Sequence, residues 1–269
     1  MNLRTRRAKD KVMKSLTLVA FLVAIVPLFY VIGTVISKGL VALNWQALGE
    51  LPPLGFRNAI IGTFIILAVT WLIALPVGIM SGVYIAEYRG IFARAMSFLA
   101  DVMSGVPSII AGIVSYVVVV ATTRAFGLAG SVALSILMLP VVIRSTEEAL
   151  KSVPNSLREA STALGAPKWR TTAIALNTAK GSIATGVLLS SARVMGETAP
   201  LIMTAGYSQW EFMGMDCRVN SLAYVVYEFL RYPDKERIAL GWSAALILII
   251  IILAINIGVR ILTRRKYEY

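Results

Sequence analysis

Apolar residues in this chain fall into long runs, with polar residues gathered between them. Six runs come close to the ~20 apolar residues that carry a helix across a bilayer. They cover 15–36, 58–84, 97–121, 127–143, 183–204 and 238–262. The pattern predicts an all-α, polytopic membrane protein with six transmembrane helices. Pro76 and Gly78 fall inside the second run, where neighbouring helices can re-satisfy the backbone. The first run is too long for the apolar core of a signal peptide, and no convincing small-residue cleavage site follows it. It is read as a retained helix. A single transmembrane unit, 15–262, thus sits between a basic tail, 1–14, and a short C-terminus, 263–269. Loops at 37–57 and 205–237 share one side. Within the second loop, 219–230 (VNSLAYVVYEFL) reads as a helix lying at the surface. The third run opens on Asp101 and then Gly105-Val106-Pro107-Ser108. A carboxylate near a helix start suits the dipole, so capping and transport both stay open for Asp101.

Composition sharpens this picture. With 58% apolar residues and a mean hydropathy of +0.77, a soluble chain would expose aggregating patches. The formal charge of +12 suits a nucleic-acid binder if taken alone. Its distribution points elsewhere. Six spans put both termini on one side, and most Lys and Arg lie on that side, so both termini are expected in the cytoplasm. The basic excess then serves orientation and contact with membrane lipid, and no nucleic acid is expected as a partner. Cys217 is the one cysteine, a passive loop thiol with no partner for an intrachain disulfide. There is no histidine and no GxxxxGK[ST]. The chain therefore lacks imidazole chemistry, His-ligated metal and a Walker-type nucleotide site, and no catalytic residue, metal site or cofactor is expected on it.

Two stretches carry the candidate chemistry. The first is 147–180, polar between apolar runs. A short helix is expected after Pro154, with Asn155 or Ser156 as N-cap and Glu159 in its first turn. Gly165 suits the C-terminal stop, and Ala166 and Pro167 open a second helix through Lys168, Trp169 and Arg170. This elbow is too polar to cross a membrane. An amphipathic linker between spans is the plain alternative. The second stretch lies in the fifth run, where Arg193 and Glu197 stand at i,i+4 on one helix face. An arginine at mid-membrane costs roughly 2.5–3.5 kcal/mol on insertion scales, so it must face protein or water. Either Glu197 neutralises Arg193 in a structural pair, or the two line an aqueous path. In the second case the planar guanidinium suits tetrahedral oxyanions such as phosphate, and Glu197 keeps binding loose enough for release.

Glu159-Ala160-Ser161 followed by Gly165 resembles the EAA loop of ABC importer permeases, with Ser161 in place of the second Ala. Ile174 and Leu176 look like the I-x-L after it, and Asn177 stands where Pro is usual. The run from Ala192 to Leu201, ARVMGETAPL, resembles the A-R-x-x-G-E-T-A-P-L segment of PstA-type phosphate ABC permeases, whose transmembrane domain is of the MetI-like type. Gly105-Val106-Pro107-Ser108-Ile109, Leu139 to Arg144 and Ala163 to Trp169 are similar to that family as well. The resemblance implies a coupling helix on Glu159, Ala160, Ser161, Gly165, Pro167 and Lys168 that an ATPase grips. It also implies that Arg193, Glu197 and Arg144 bear on phosphate passage, although Arg144, beside Glu147 and Glu148, reads equally as a cytoplasmic anchor. The implied setting is a bacterial or archaeal cell membrane. The implied partners are a homologous second permease (PstC-type), an ATPase dimer (PstB-type) that uses the ATP, and a phosphate-binding protein (PstS-type). Trp210 and the 224–232 segment would offer that binding protein a surface, or form an interfacial aromatic belt. Molybdate, tungstate or sulfate would fit the same machine. A secondary transporter or channel using Arg193 and Glu197 as an ion relay would leave the EAA-like loop without a role, and no inverted repeat supports it. A membrane enzyme finds no nucleophile–base spacing here.

Overall fold

Prolines and glycines decide where the helices of this chain start, bend and stop. The computed structural model describes residues 3–264, and what was expected of 1–2 and 265–269 lies outside it. The element order is α1 (Leu3–Ala42), α2 (Trp45–Gly49), α3 (Arg57–Glu87), α4 (Ile91–Ser104), α5 (Ser108–Ser115), a π-helical turn Tyr116–Val120 and α6 (Ala121–Thr123). It continues with α7 (Phe126–Lys151), α8 (Asn155–Ala163), α9 (Lys168–Met195), α10 (Ala199–Met203), α11 (Leu222–Arg231) and α12 (Lys235–Arg264). No strand occurs among the described residues.

Several boundaries differ from the sequence reading, each for a local reason. The expected basic tail is helical from Leu3, because charged residues do not break a helix and nothing before residue 15 is a breaker. The loop expected at 37–57 begins late and contains α2, capped by Asn44, whose Oδ1 accepts from the Ala47 amide. The third run is not one straight helix. It is two pieces bent by 105° at Gly105-Val106-Pro107. Pro107 has no amide to continue the ladder, and it pushes Val106 out of the helical region. Asp101 therefore sits in the last turn of α4, not near a helix start. The fourth run continues past Ile143 to Lys151.

Among the described residues four helices are long and apolar enough to cross a membrane, and the bent pair would make a fifth. The 28 residues of α9 span roughly 42 Å at about 1.5 Å per residue, ample length. Its Lys168, Arg170, Lys180 and Arg193 make it the least apolar of the long helices. These elements are consistent with the six-span expectation.

The core runs between α3, α7 and α9, with Ile66, Leu134, Met138, Val142 and Val194 buried there. Gly78 and Gly82 set the α3–α7 approach. A Cβ at Gly82 would lie 2.7 Å from the Ile143 carbonyl oxygen and 2.6 Å from Thr146 Cβ. The small-xxx-small spacing lets two backbones close in where lipid supplies no hydrophobic drive. Hydroxyls add interhelical bonds, as when Ser135 donates to the Thr70 carbonyl and Thr70 to the Ser131 carbonyl. α11 forms as expected, but it is not merely a surface helix. Phe229, Val225 and Leu222 are buried against α3 and α12. Its N-cap is Ser221, whose Oγ accepts from the Tyr224 amide.

Candidate functional site

The elbow after α7 is built by proline and glycine. Pro154 is the N-cap of α8 and no side chain caps it, so Asn155 is already helical and Glu159 lies beyond the first turn. Both points correct the sequence reading. The proline holds an extended ψ of 138° and thereby sets the entry angle without a side-chain cap. The stop at Gly165 agrees with it. Gly165 has φ +73°, its amide donates to Thr162 O at 2.9 Å, and the Ala166 amide donates to Ser161 O at 3.2 Å. This pair of bonds satisfies the carbonyls that a helix end leaves orphaned. Pro167 then caps α9.

Ser161 is the buried residue of α8, and its hydroxyl pairs with Thr171 Oγ1 of α9 at 2.9 Å. The serine that replaces the usual alanine thus ties the two helices of the elbow together. Asn177, where proline is usual, lies within α9, which runs on unbroken to Met195. Glu159, Ala160, Pro167 and Lys168 face outward. Glu159 makes no ion pair among the described residues. The Lys168 ammonium sits 3.9 Å from the centre of the Tyr88 ring. Leu164 and Trp169 are 87% and 65% exposed, two large apolar side chains on an otherwise polar elbow. Exposed apolar side chains of this kind suit a protein groove.

Sequence reading passed over the residue that fastens this elbow. Arg158 donates through Nε and Nη2 to Glu87 Oε1, at 3.2 and 2.8 Å. It also donates to the carbonyls of Val153 and Leu150, each at 2.8 Å. The signal was present in principle: an arginine and a glutamate at two polar helix ends. Nothing in the sequence brought them together across 71 positions.

At the other end of α9 the helix stops at Met195, with Gly196 as its C-cap. Glu197 therefore lies beyond the helix, not on one helical face with Arg193, and α10 restarts after Thr198. The two charges still approach, with Arg193 Nε 3.9 Å from Glu197 Oε1. That is an ion pair but too long for a hydrogen bond. The Arg193 side chain is 65% exposed while its neighbours Val194 and Met195 are buried, so it points off the bundle. Arg193 also stands in the last turn of α9, where a cation suits the dipole. Trp71 Nε1 donates to Ser191 Oγ at 2.8 Å and fixes this part of α9 against α3.

Arg144 is placed differently. Its Nε and Nη2 donate to Asp101 Oδ1, its Nη1 to Glu147 Oε2, and its Nη2 to the Ser97 carbonyl and hydroxyl at 2.9 Å. Glu147 in turn accepts from Lys151 at 2.6 Å. Arg144 is thus the latch between α4 and α7, with its donors already engaged. Gly186 of α9 packs on Ser145, so Arg193 lies about seven residues, roughly 10 Å, further along α9. The structure brings Arg193 and Glu197 together and leaves Arg144 apart from them.

A cleft of about 760 Å³ opens at the end of the bundle away from α8, lined by Arg124, Tyr207, Trp210, Asp216 and Arg218 among others. Burial pushes the Tyr207 phenol up to about 12, so it stays a neutral donor there.

Residues 74–267 match the family of binding-protein-dependent transport system inner membrane components. The chain belongs to this family. Among its relatives is the phosphate transport system permease protein PstA of Pasteurella multocida (strain Pm70). It is 37% identical over 97% of this chain and 96% of its own length. PstA of Mycobacterium leprae (strain TN) is 40% identical over 94% of this chain and 88% of its own. Solved structures share the fold. A chain of the MetNI methionine ABC transporter in an inward-facing conformation matches 82% of this chain at a TM-score of 0.58 and 21% identity. A chain of a bacterial ABC transporter that imports the acidic polysaccharide alginate matches 97% at a TM-score of 0.62 and 13% identity. The component is thus a multi-pass membrane protein with the architecture of an ABC importer permease.

Proposed function

We propose that this chain is the permease subunit of an ATP-driven importer of inorganic phosphate. The observation that carries the reading is the near full-length similarity to phosphate permeases, at 37% and 40% identity in the two relatives above. In this reading ATP binds and is hydrolysed on a separate ATPase dimer, and this chain carries no cofactor. A homologous second permease completes the path. A phosphate-binding protein docks at the cleft by Trp210 and Tyr207. Both termini and the α8 elbow face the cytoplasm, in a bacterial or archaeal membrane.

The contacts support one mechanism. The ATPase grips the Glu159–Lys168 elbow, with Leu164 and Trp169 seated in its groove. Closure of the dimer displaces α8, and the Arg158 bonds hand that displacement to the ends of α3 and α7. The helices rock, and phosphate passes the guanidinium of Arg193. An arginine pointing off the bundle at membrane depth must meet water or another subunit. Its planar donor fork matches a tetrahedral oxyanion. Glu197, 3.9 Å away, competes with the anion so that it leaves again. Arg144, with its donors committed to Asp101, Ser97 and Glu147, acts on the path by holding α4 against α7.

The test is uptake of labelled phosphate by vesicles holding this chain and its partner subunits, with molybdate, tungstate and sulfate as competitors. ATP-dependent phosphate uptake is expected, weakly inhibited by the other oxyanions. Uptake without any ATPase, or stronger uptake of another oxyanion, overturns the reading.

A further inference from the structure

The helix before the 105° bend has a face that the transport reading does not use. Ile91, Phe92, Phe98, Leu99 and Val102 of α4 are 79%, 69%, 66%, 58% and 51% exposed. Their spacing places them on one helical stripe. Ala93 and Ala100 are buried against the bundle on the opposite side, and Arg94, Ser97 and Asp101 share a flank. The bend sets α4 nearly at right angles to the segment that follows it. If α5 runs across the bilayer, α4 runs along it. The latch from Ser97 and Asp101 to Arg144 holds α4 there. Between the end of α3 and α4 lies a cleft of about 620 Å³. Ile85 and Phe98 form apolar walls and Arg89 and Arg94 the polar rim, beside Ser97 and Asp101. Neither Arg89 nor Arg94 forms an ion pair among the described residues. Asp101 is already matched by Arg144.

We infer that α4 lies in the plane of the membrane interface and that Arg89 and Arg94 hold the phosphate headgroup of an anionic phospholipid in this cleft. Two unpaired guanidinium groups complement a phosphodiester anion. A free phosphate ion offers the same oxygens, but it leaves the apolar walls and the α4 stripe without a partner. A phospholipid satisfies all three, with its chains running along Ile85 and Phe98 and the stripe sunk among its neighbours. The inference rests on the membrane placement proposed above and is independent of the cargo.

Two measurements test it on the full chain in vesicles of phosphatidylcholine with an equal part of phosphatidylglycerol. In a Cys217→Ser background, spin labels at Ile91→Cys and Val102→Cys report depth. Equal depths are expected. A difference near 16 Å, eleven residues of helix rise at about 1.5 Å each, means that α4 crosses the leaflet and overturns the inference. Native mass spectrometry then compares retention of phosphatidylglycerol with phosphatidylcholine. Preferential phosphatidylglycerol is expected, falling roughly thirtyfold in the Arg89→Gln/Arg94→Gln variant, since each basic side chain at an anionic leaflet gives about a factor of five. Equal retention by the variant, or release of the lipid by added inorganic phosphate, overturns it. Phosphate uptake in the same vesicles scores the cargo separately, so a failed lipid site and a failed transport reading give different results.

Discussion

Arg158, the fourth residue of α8, grips Glu87, the last residue of α3, through two donors on one carboxylate oxygen. The Glu87 side chain is 8% exposed and the Arg158 side chain 22%, so the pair is largely out of water. Removing the arginine leaves a buried carboxylate unmatched. Arg158→Ala is expected to cost about 2–3 kcal/mol, at or below the usual range for breaking a buried pair because some solvent reaches the arginine. The double variant with Glu87→Ala should recover part of this. Thermal unfolding of the four proteins closes the cycle, and strictly additive losses would refute the coupling. In assembled transporter, Arg158→Ala should keep ATP hydrolysis while uptake per ATP falls.

Arg193 should matter to flux and not to folding. At 3.9 Å and half-exposed, its pair with Glu197 contributes no more than about 1 kcal/mol. Arg193→Gln should leave the melting temperature unchanged and lower phosphate uptake roughly thirtyfold, about the 2 kcal/mol of one charge-assisted contact. Arg193→Lys should recover part of the uptake, because the charge remains and the fork does not. A collapse of assembly in Arg193→Gln would make the residue structural.

Glu197→Gln removes the competitor for the guanidinium. The half-saturating phosphate concentration and the maximal uptake rate should then both fall by up to about fivefold, the effect of losing a weak ion pair of up to about 1 kcal/mol. Higher half-saturation would show that Glu197 positions Arg193 rather than competing for it.

Ser161→Ala restores the commoner residue of the loop and leaves Thr171 Oγ1 without its partner. Stability should drop by about 1 kcal/mol with coupling retained. Gly165→Ala places a side chain at φ +73° and should cost a similar ~1 kcal/mol, but it also reopens the elbow angle and so lowers coupling. Measuring melting temperature and uptake per ATP on both variants separates the two effects.

Gly82→Leu drives a side chain into the Ile143 carbonyl and Thr146. Overpacking of this kind costs about 1–3 kcal/mol, and more where the obstacle is backbone, so yield in the membrane should fall sharply. Normal yield and melting temperature would mean that α3 and α7 can separate freely.

How much of this was legible in the sequence depends on what the signal measures. Hydropathy located the apolar segments, but it carries no direction, so the run through Gly105-Val106-Pro107 read as a straight span when it is a corner. Arg144 and Glu147 looked like the end of the fourth run because charges beside an apolar stretch read as its limit. Paired with each other and with Asp101, they allow the helix to continue. The elbow was readable because Pro154, Gly165 and Pro167 act on their own backbone. Asn155 and Ser156 were poorer guides, since a cap needs a geometry that Pro154 had already taken. Arg193 and Glu197 were found by spacing, and the approach survives although Gly196 ends the helix between them. The Arg158–Glu87 contact and the α3–α7 fit depend on packing across distant segments, which no local pattern encodes.

The unbroken course of α9 has a consequence in angular gearing. From Lys168 to Arg193 it is a rod of roughly 37 Å with no proline in it. A rotation of about 5° at the elbow would sweep its far end through about 3 Å, one hydrogen-bond length, given a rise near 1.5 Å per residue. In the transport cycle proposed above, a movement too small to be conspicuous at the ATPase is then large enough to make or break every contact that Arg193 offers an anion.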